Sequence, residues 1–172
     1  MEVQILKNIE KIKFESSDKF YNYLNMKLTG LICEESDWLA NLSNASAVLW
    51  LLLDDINWAG FYLYKNDELI LGPFQGKPAC THIKLGKGVC GTAAETRETQ
   101  LVKNVHEFPG HIACDSDSNS EIVVPIIKNE RLIGVLDIDS PSLNRFDKTD
   151  QQYLEKFVSI IVKYVDFPET FI

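Results

Sequence analysis

Apolar residues in the first third of the chain recur at helical spacing. From Ser17 the positions Phe20, Leu24, Leu28 and Leu31 fall on one face, with Ser16 or Ser17 placed to cap the first turn and Gly30 near the end. A second helix is predicted after Asp37, where Leu39, Leu42, Ala45, Leu49, Leu52, Leu53 and Ile56 form a stripe wide enough to cover a sheet or a neighbouring subunit. Cys33 sits in the connection between the two helices, far from the other cysteines, and reads as structural or incidental. Residues 1–13 alternate apolar and charged positions without a clear cap and are set aside as an N-terminal extension, leaving 14–172 as one domain.

The period then shortens to two. Trp58–Lys65 and Glu68–Gly76 are β-rich and joined by Asn66-Asp67, which predicts an antiparallel hairpin. Thr81–Leu85 and Gln100–Lys103 read as short strands, with a helix from Gly88 to about Arg97 between them. Val105–Ser120 is rich in Gly, Pro, Asp, Ser and Asn and reads as a long loop, a feature that is more often functional than not in a compact domain. Glu121–Ile127 and Arg131–Asp139 form a last hairpin around Asn129-Glu130, and a closing helix capped by Asp147 carries Tyr153, Leu154, Phe157, Val158, Ile161 and Val165. Helices, a hairpin-connected sheet of about six strands and a closing helix make an α+β layered domain with a central antiparallel sheet.

Composition narrows the function classes. A chain of 172 residues with 45% apolar content can bury one good core. The net charge of −8, with no basic patch, argues against a nucleic-acid partner. Ala47–Leu53, the longest apolar run, is far below the roughly 20 residues of a membrane span. Residues 1–10 lack the layout of a signal peptide, so a cytoplasmic location is expected, where four cysteines are unsuited to a static disulfide framework.

Three of those cysteines and all three histidines fall between Cys80 and Cys114. Gly72–Lys77 has the outline of a phosphate loop but is one residue short, precedes Pro78 and opens no helix. In Gly86-Lys-Gly-Val-Cys-Gly91 the cysteine falls in the first turn of a predicted helix, where free amides and the helix dipole lower a thiol pKa; a small residue buried in a tight turn is the alternative. Cys114 lies in the polar loop, accessible enough for a nucleophile. Cys80 stands at the mouth of the third strand. None of the spacings is a metal pattern, Cys80-x-His82 being the nearest to one.

Asp137 and Asp139, two apart in a strand, share a face, with Leu136 and Ile138 on the core side. Two carboxylates there need a cation, a metal or a shared proton. Glu121 joins them only if the last hairpin carries an extra residue, because a plain two-residue turn at Asn129-Glu130 would put Glu121 on the opposite face. Pro125, which cannot donate to a regular ladder, marks a place for such a bulge. Trp58 and Tyr62 also share a face, with Gly60 between them as the floor of an aromatic slot.

The segments WAGFYLY, ELILGPFQGKPAC, GKGVCGTA, HEFPGHIACD, SEIVVPI and IGVLDIDSP, in this order and spacing, resemble the free methionine-(R)-sulfoxide reductases, a catalytic branch of the GAF fold. The resemblance implies that Cys114 is the nucleophile, Cys90 a resolving cysteine and Cys80 a third thiol able to form a disulfide with Cys114. It implies that Trp58 and Tyr62 surround the substrate methyl group, that Glu121, Asp137 and Asp139 hold its amino and sulfoxide groups, and that backbone amides of Ile112, Ala113 and Cys114 bind its carboxylate. The expected reaction is thiol-dependent reduction of free L-methionine-(R)-sulfoxide through a sulfenic acid and an intramolecular disulfide recycled by thioredoxin, with no metal or organic cofactor. A homodimer is a reasonable expectation from the apolar helix faces. The rival classes are a non-catalytic GAF sensor of a small ligand and a thiol redox switch acting on a protein.

Overall fold

The computed structural model describes residues 9–110 and 115–171. Among the described residues four helices, α1 (Ser17–Ile32), α2 (Trp38–Leu52), α3 (Gly88–Thr96) and α4 (Lys148–Tyr164), accompany six strands: β1 (Trp58–Lys65), β2 (Glu68–Gly76), β3 (His82–Lys84), β4 (Gln100–Val102), β5 (Ser120–Lys128) and β6 (Arg131–Ser140). A 3-10 turn, Val105–Glu107, interrupts the loop before β5. The strands form one sheet in the order β3-β2-β1-β6-β5-β4, every neighbouring pair antiparallel. Among the described residues, no helix is long and apolar enough to cross a membrane.

The helix starts follow from side-chain caps. Ser16 accepts from the Lys19 amide and Asp37 from the Ala40 amide, each satisfying one of the donors a first turn leaves open. Asp147 and Asp150 form a reciprocal capping box at α4. Both hairpin turns use two consecutive positive-φ residues, Asn66-Asp67 and Asn129-Glu130, which match the twist of the strands they join.

One face of the sheet is covered by α1, α2 and α4. Leu24, Leu28, Leu42, Leu49, Phe157 and Ile161 meet Phe61, Ile122, Leu136 and Ile138 there, all fully buried. Tyr21 stacks on Tyr153 at 5.1 Å and bonds Asp150, which ties α1 to α4. The predicted apolar stripe of α2 is only partly used: Leu42, Ala45, Leu49, Leu52 and Leu53 are buried, whereas Leu39 is 48% exposed. The opposite face carries α3 and a smaller cluster that includes Trp58, Tyr62, Val89, Cys90, Val123 and Val135. That second face is where the chemistry-bearing residues gather.

The hairpin that brings the acids together has the predicted extra residue, in a different strand from the one expected. Lys128 pairs with Arg131 and Ile127 with Leu132, but Ile126 pairs with Gly134, so Ile133 is unmatched and its side chain enters the helix-side core. Pro125 lies in regular register opposite Val135. Its missing donor disturbs nothing because β4, the other neighbour of β5, reaches only as far as Val123. Beside the bulge, a Cβ on Gly134 would stand 2.0 Å from the Tyr62 carbonyl oxygen, so only glycine lets β1 approach here.

Candidate active site

The extra residue at Ile133 puts Glu121 opposite Asp139, and Val123 opposite Asp137, on the face shared with α3. β1 continues the same surface, with Trp58 opposite Asp139 and Gly60 opposite Asp137. A pocket opens at this point, lined among others by Trp58, Tyr62, Cys90, Glu121, Asp137 and Asp139. Six of the residues singled out from the sequence are therefore brought together by three strands and one helix.

The aromatic wall has three members. Trp58 stacks on Tyr62 at 5.8 Å and on Phe74 at 5.2 Å. Phe74 reaches this face through a second bulge: Tyr62 pairs with Leu71 and Gly60 with Phe74, so two steps along β1 match three along β2. The Gly72-Pro73 pair is the sequence signal that could have found it. Gly60 is not the open floor of a slot, as its sequence position suggested. A Cβ there would lie 2.3 Å from the Cβ of Phe74, so the glycine makes room for that ring. The polar tips of the other two rings are engaged with the segment before β3: Trp58 Nε1 donates to the Lys77 carbonyl at 3.2 Å and Tyr62 Oη to the Cys80 carbonyl at 3.0 Å.

Three carboxyl groups and a thiol crowd the base of the pocket. Glu121 and Asp137 are each 6% exposed. Burial, then the charges of Asp137 and Asp139, push the Glu121 carboxyl well above its ordinary range. Asp139 is raised by burial and then by Asp137 and Asp115. Asp137 is pushed up to about 6 by burial, against hydrogen bonding from Cys90 and Glu121 that lowers it. Asp137 is thus the first of the three to ionise as pH rises, and burial and its charge hold Glu121 and Asp139 to their protons longer. A carboxylate beside protonated carboxylic acids can hold an ammonium group and donate a hydrogen bond to a substrate oxygen at the same time.

Cys90 occupies the first turn of α3, as expected, but with the opposite electrostatic outcome. Burial, then the charges of Asp137 and Glu121, raise its thiol well above the usual value, and its Sγ lies 3.9 Å from Glu121 Oε1. The helix dipole is outweighed by desolvation and by acids on the facing strands, so Cys90 is a protonated thiol. It is free and buried, whereas Cys33, at the C-cap of α1, is free and exposed. Cys80 is disulfide-bonded. Ile112, Ala113 and Cys114 lie outside the described residues.

Residues the sequence did not single out hold the rim. Asn57 Nδ2 donates to Asp115 Oδ2 at 3.2 Å and to Ser118 Oγ at 3.0 Å, and Lys77 pairs with both Asp115 and Asp117. These contacts fasten the last part of the long loop to the start of β1 and to the segment leading to Cys80.

Comparison with known proteins places this geometry. Residues 39–166 match the GAF domain family. The free methionine-R-sulfoxide reductase of Escherichia coli is 51% identical over 145 residues, 84% of this chain and 88% of that protein. That of Saccharomyces cerevisiae is 49% identical over 156 residues, 86% and 87% of the two chains. A structure of the Staphylococcus aureus protein in complex with substrate superposes with a TM-score of 0.82 at 52% identity, covering 91% of this chain and 99% of that one. Shared sequence over most of the length, the GAF architecture and the acid-lined aromatic pocket lead to one conclusion: the chain belongs to the free methionine-R-sulfoxide reductases of the GAF domain family.

Proposed function

We propose that this protein reduces free L-methionine-(R)-sulfoxide to L-methionine by thiol chemistry. The observation that carries the reading is the convergence of Glu121, Asp137 and Asp139 beneath the Trp58–Tyr62–Phe74 wall. The ionised Asp137 accepts the substrate ammonium, a protonated neighbour, Glu121 or Asp139, donates to the sulfoxide oxygen, and the rings enclose the S-methyl group. Hydrogen bonding makes the sulfoxide sulfur electrophilic. The Cys114 thiolate receives the oxygen, methionine departs, and Cys114 is left as a sulfenic acid. A second thiol condenses with it, releasing water and forming a disulfide, which an external dithiol such as thioredoxin reduces back to two thiols. The disulfide-bonded state of Cys80 beside a free, protonated Cys90 supports Cys80 as the thiol that closes this disulfide.

Thiols supply both electrons, so the cycle as written draws on no metal or organic cofactor. The backbone amides of 112–114 are assigned to the substrate carboxylate by the family pattern. A free amino acid satisfies both charged subsites, whereas a peptide-bound sulfoxide leaves them unpaired, which selects for the free form. A cytoplasmic setting suits a thiol cycle recharged by thioredoxin. The exposed Leu39, Trp50 and Leu51 of α2 support pairing of two copies.

A thioredoxin-coupled assay with free R, free S and peptide-bound methionine sulfoxide tests the proposal. Turnover confined to the free R form, and lost in Cys114→Ser, is the expected result. Equal turnover of peptide and free substrate would reject it.

A further inference from the structure

Cys90, Glu121 and Asp137 come from three different elements, yet each directs one ligand atom to a common point. The three atoms lie within 4.8 Å of one another and all three residues are buried. Oδ1 of Asp137, a residue that lines the pocket, is a buried acceptor without a hydrogen-bond partner among the described residues. A sulfur and two carboxylate oxygens are the donor set of a borderline or soft divalent cation, and a thiol is a poor ligand for magnesium or calcium. Neighbouring ligands of a tetrahedral zinc site stand roughly 3.5 Å apart, so the cluster needs only a contraction of about 1 Å to close on such an ion.

We propose that Cys90, Glu121 and Asp137 bind Zn2+ or Cd2+ and that this site is inhibitory, overlapping the seat of the substrate ammonium. The overlap rests on the reductase reading given above; the cation site does not. On binding, the Cys90 S–H bond breaks, its proton leaves to solvent and an S–metal bond forms, with no change of oxidation state. The metal thereby removes the Asp137 carboxylate from the substrate.

The test uses full-length protein with Cys33, Cys80 and Cys114 replaced by Ser, leaving Cys90 as the sole thiol, after circular dichroism has established that the fold is retained. Cd2+ is titrated while the ultraviolet thiolate-to-cadmium charge-transfer band is followed. Saturation at one equivalent is expected, with affinity at least tenfold weaker after Glu121→Gln and after Asp137→Asn, and displacement by free methionine. Absence of the band at one equivalent, or unchanged affinity in both carboxylate variants, would overturn the site. Binding that meets these conditions but ignores methionine would uphold the cation site and overturn its overlap with the substrate.

Discussion

Glu121 faces Asp139 across the β5–β6 ladder because Ile133 is an unmatched residue lower in the same hairpin. Without that residue the side-chain alternation would turn Glu121 into the helix-side core, against Ile122's neighbours, and leave two acids in the pocket. Gly134 makes the arrangement possible, since any Cβ there meets the Tyr62 carbonyl. Gly134→Ala is therefore expected to destabilise the protein by at least about 2 kcal/mol, as overpacking against backbone does. Urea denaturation of the two proteins measures it, and an unchanged midpoint would refute the close approach.

Asp137→Asn should have opposite effects on stability and function. The Asp137 carboxyl is raised from 3.8 to about 6 in the fold, so the stability associated with its proton is fully present below 3.8 and lost as pH rises through 6. An amide cannot ionise. At pH 7 the variant should gain up to about 3 kcal/mol over the parent in the absence of substrate, from a shift of about two units at 1.36 kcal/mol each. Near pH 4 the difference should vanish. Denaturation at the two pH values reads this, while KM for the free sulfoxide rises.

The same group should set the acid limb of activity. If Asp137 accepts the substrate ammonium, kcat/KM rises with pH through about 6 as its carboxylate appears. At higher pH it falls as the Glu121–Asp139 pair, raised by burial, gives up the proton offered to the sulfoxide. A pH profile without the acid limb in the parent protein would remove Asp137 from this role.

Phe74 completes the aromatic wall through its stack on Trp58. Removing the ring leaves Trp58 supported on one side only, and an aromatic pair contributes about 0.5–1.5 kcal/mol beyond its buried area. Phe74→Ala should raise KM for free methionine sulfoxide by up to roughly tenfold, the equivalent of 1.4 kcal/mol, with a smaller change in kcat. Steady-state kinetics separates the two parameters.

How much of this was legible in the sequence depended on the range of the interaction. Caps such as Ser16, Asp37 and Asp147 and the turns at Asn66-Asp67 and Asn129-Glu130 are local, and the elements they bound appear where the pattern put them. The need for an extra residue near Glu121 was also readable, because parity is arithmetic. Its location was not: Pro125 looked irregular, but the end of β4 leaves its missing donor without a partner to disappoint. Phe74 escaped notice because its face depends on a bulge fixed by pairing with β1. Cys90 falls in the turn the pattern gives, but its sequence leaves a lowered thiol pKa and a small buried residue both open, since a helix start is visible locally while the opposing acids of β5 and β6, which decide for the second, are not.

The hydrogen bonds from Trp58 and Tyr62 to the Lys77 and Cys80 carbonyls join the aromatic wall of the pocket to the backbone bearing the disulfide-bonded Cys80. Replacing Tyr62 by Phe would alter the shape of the pocket little, yet would release the Cys80 carbonyl. On the proposed reductase cycle, substrate choice and thiol recycling are mechanically linked, and a lineage adapting this pocket to a different sulfoxide would have to retune its reductive half-cycle along with it.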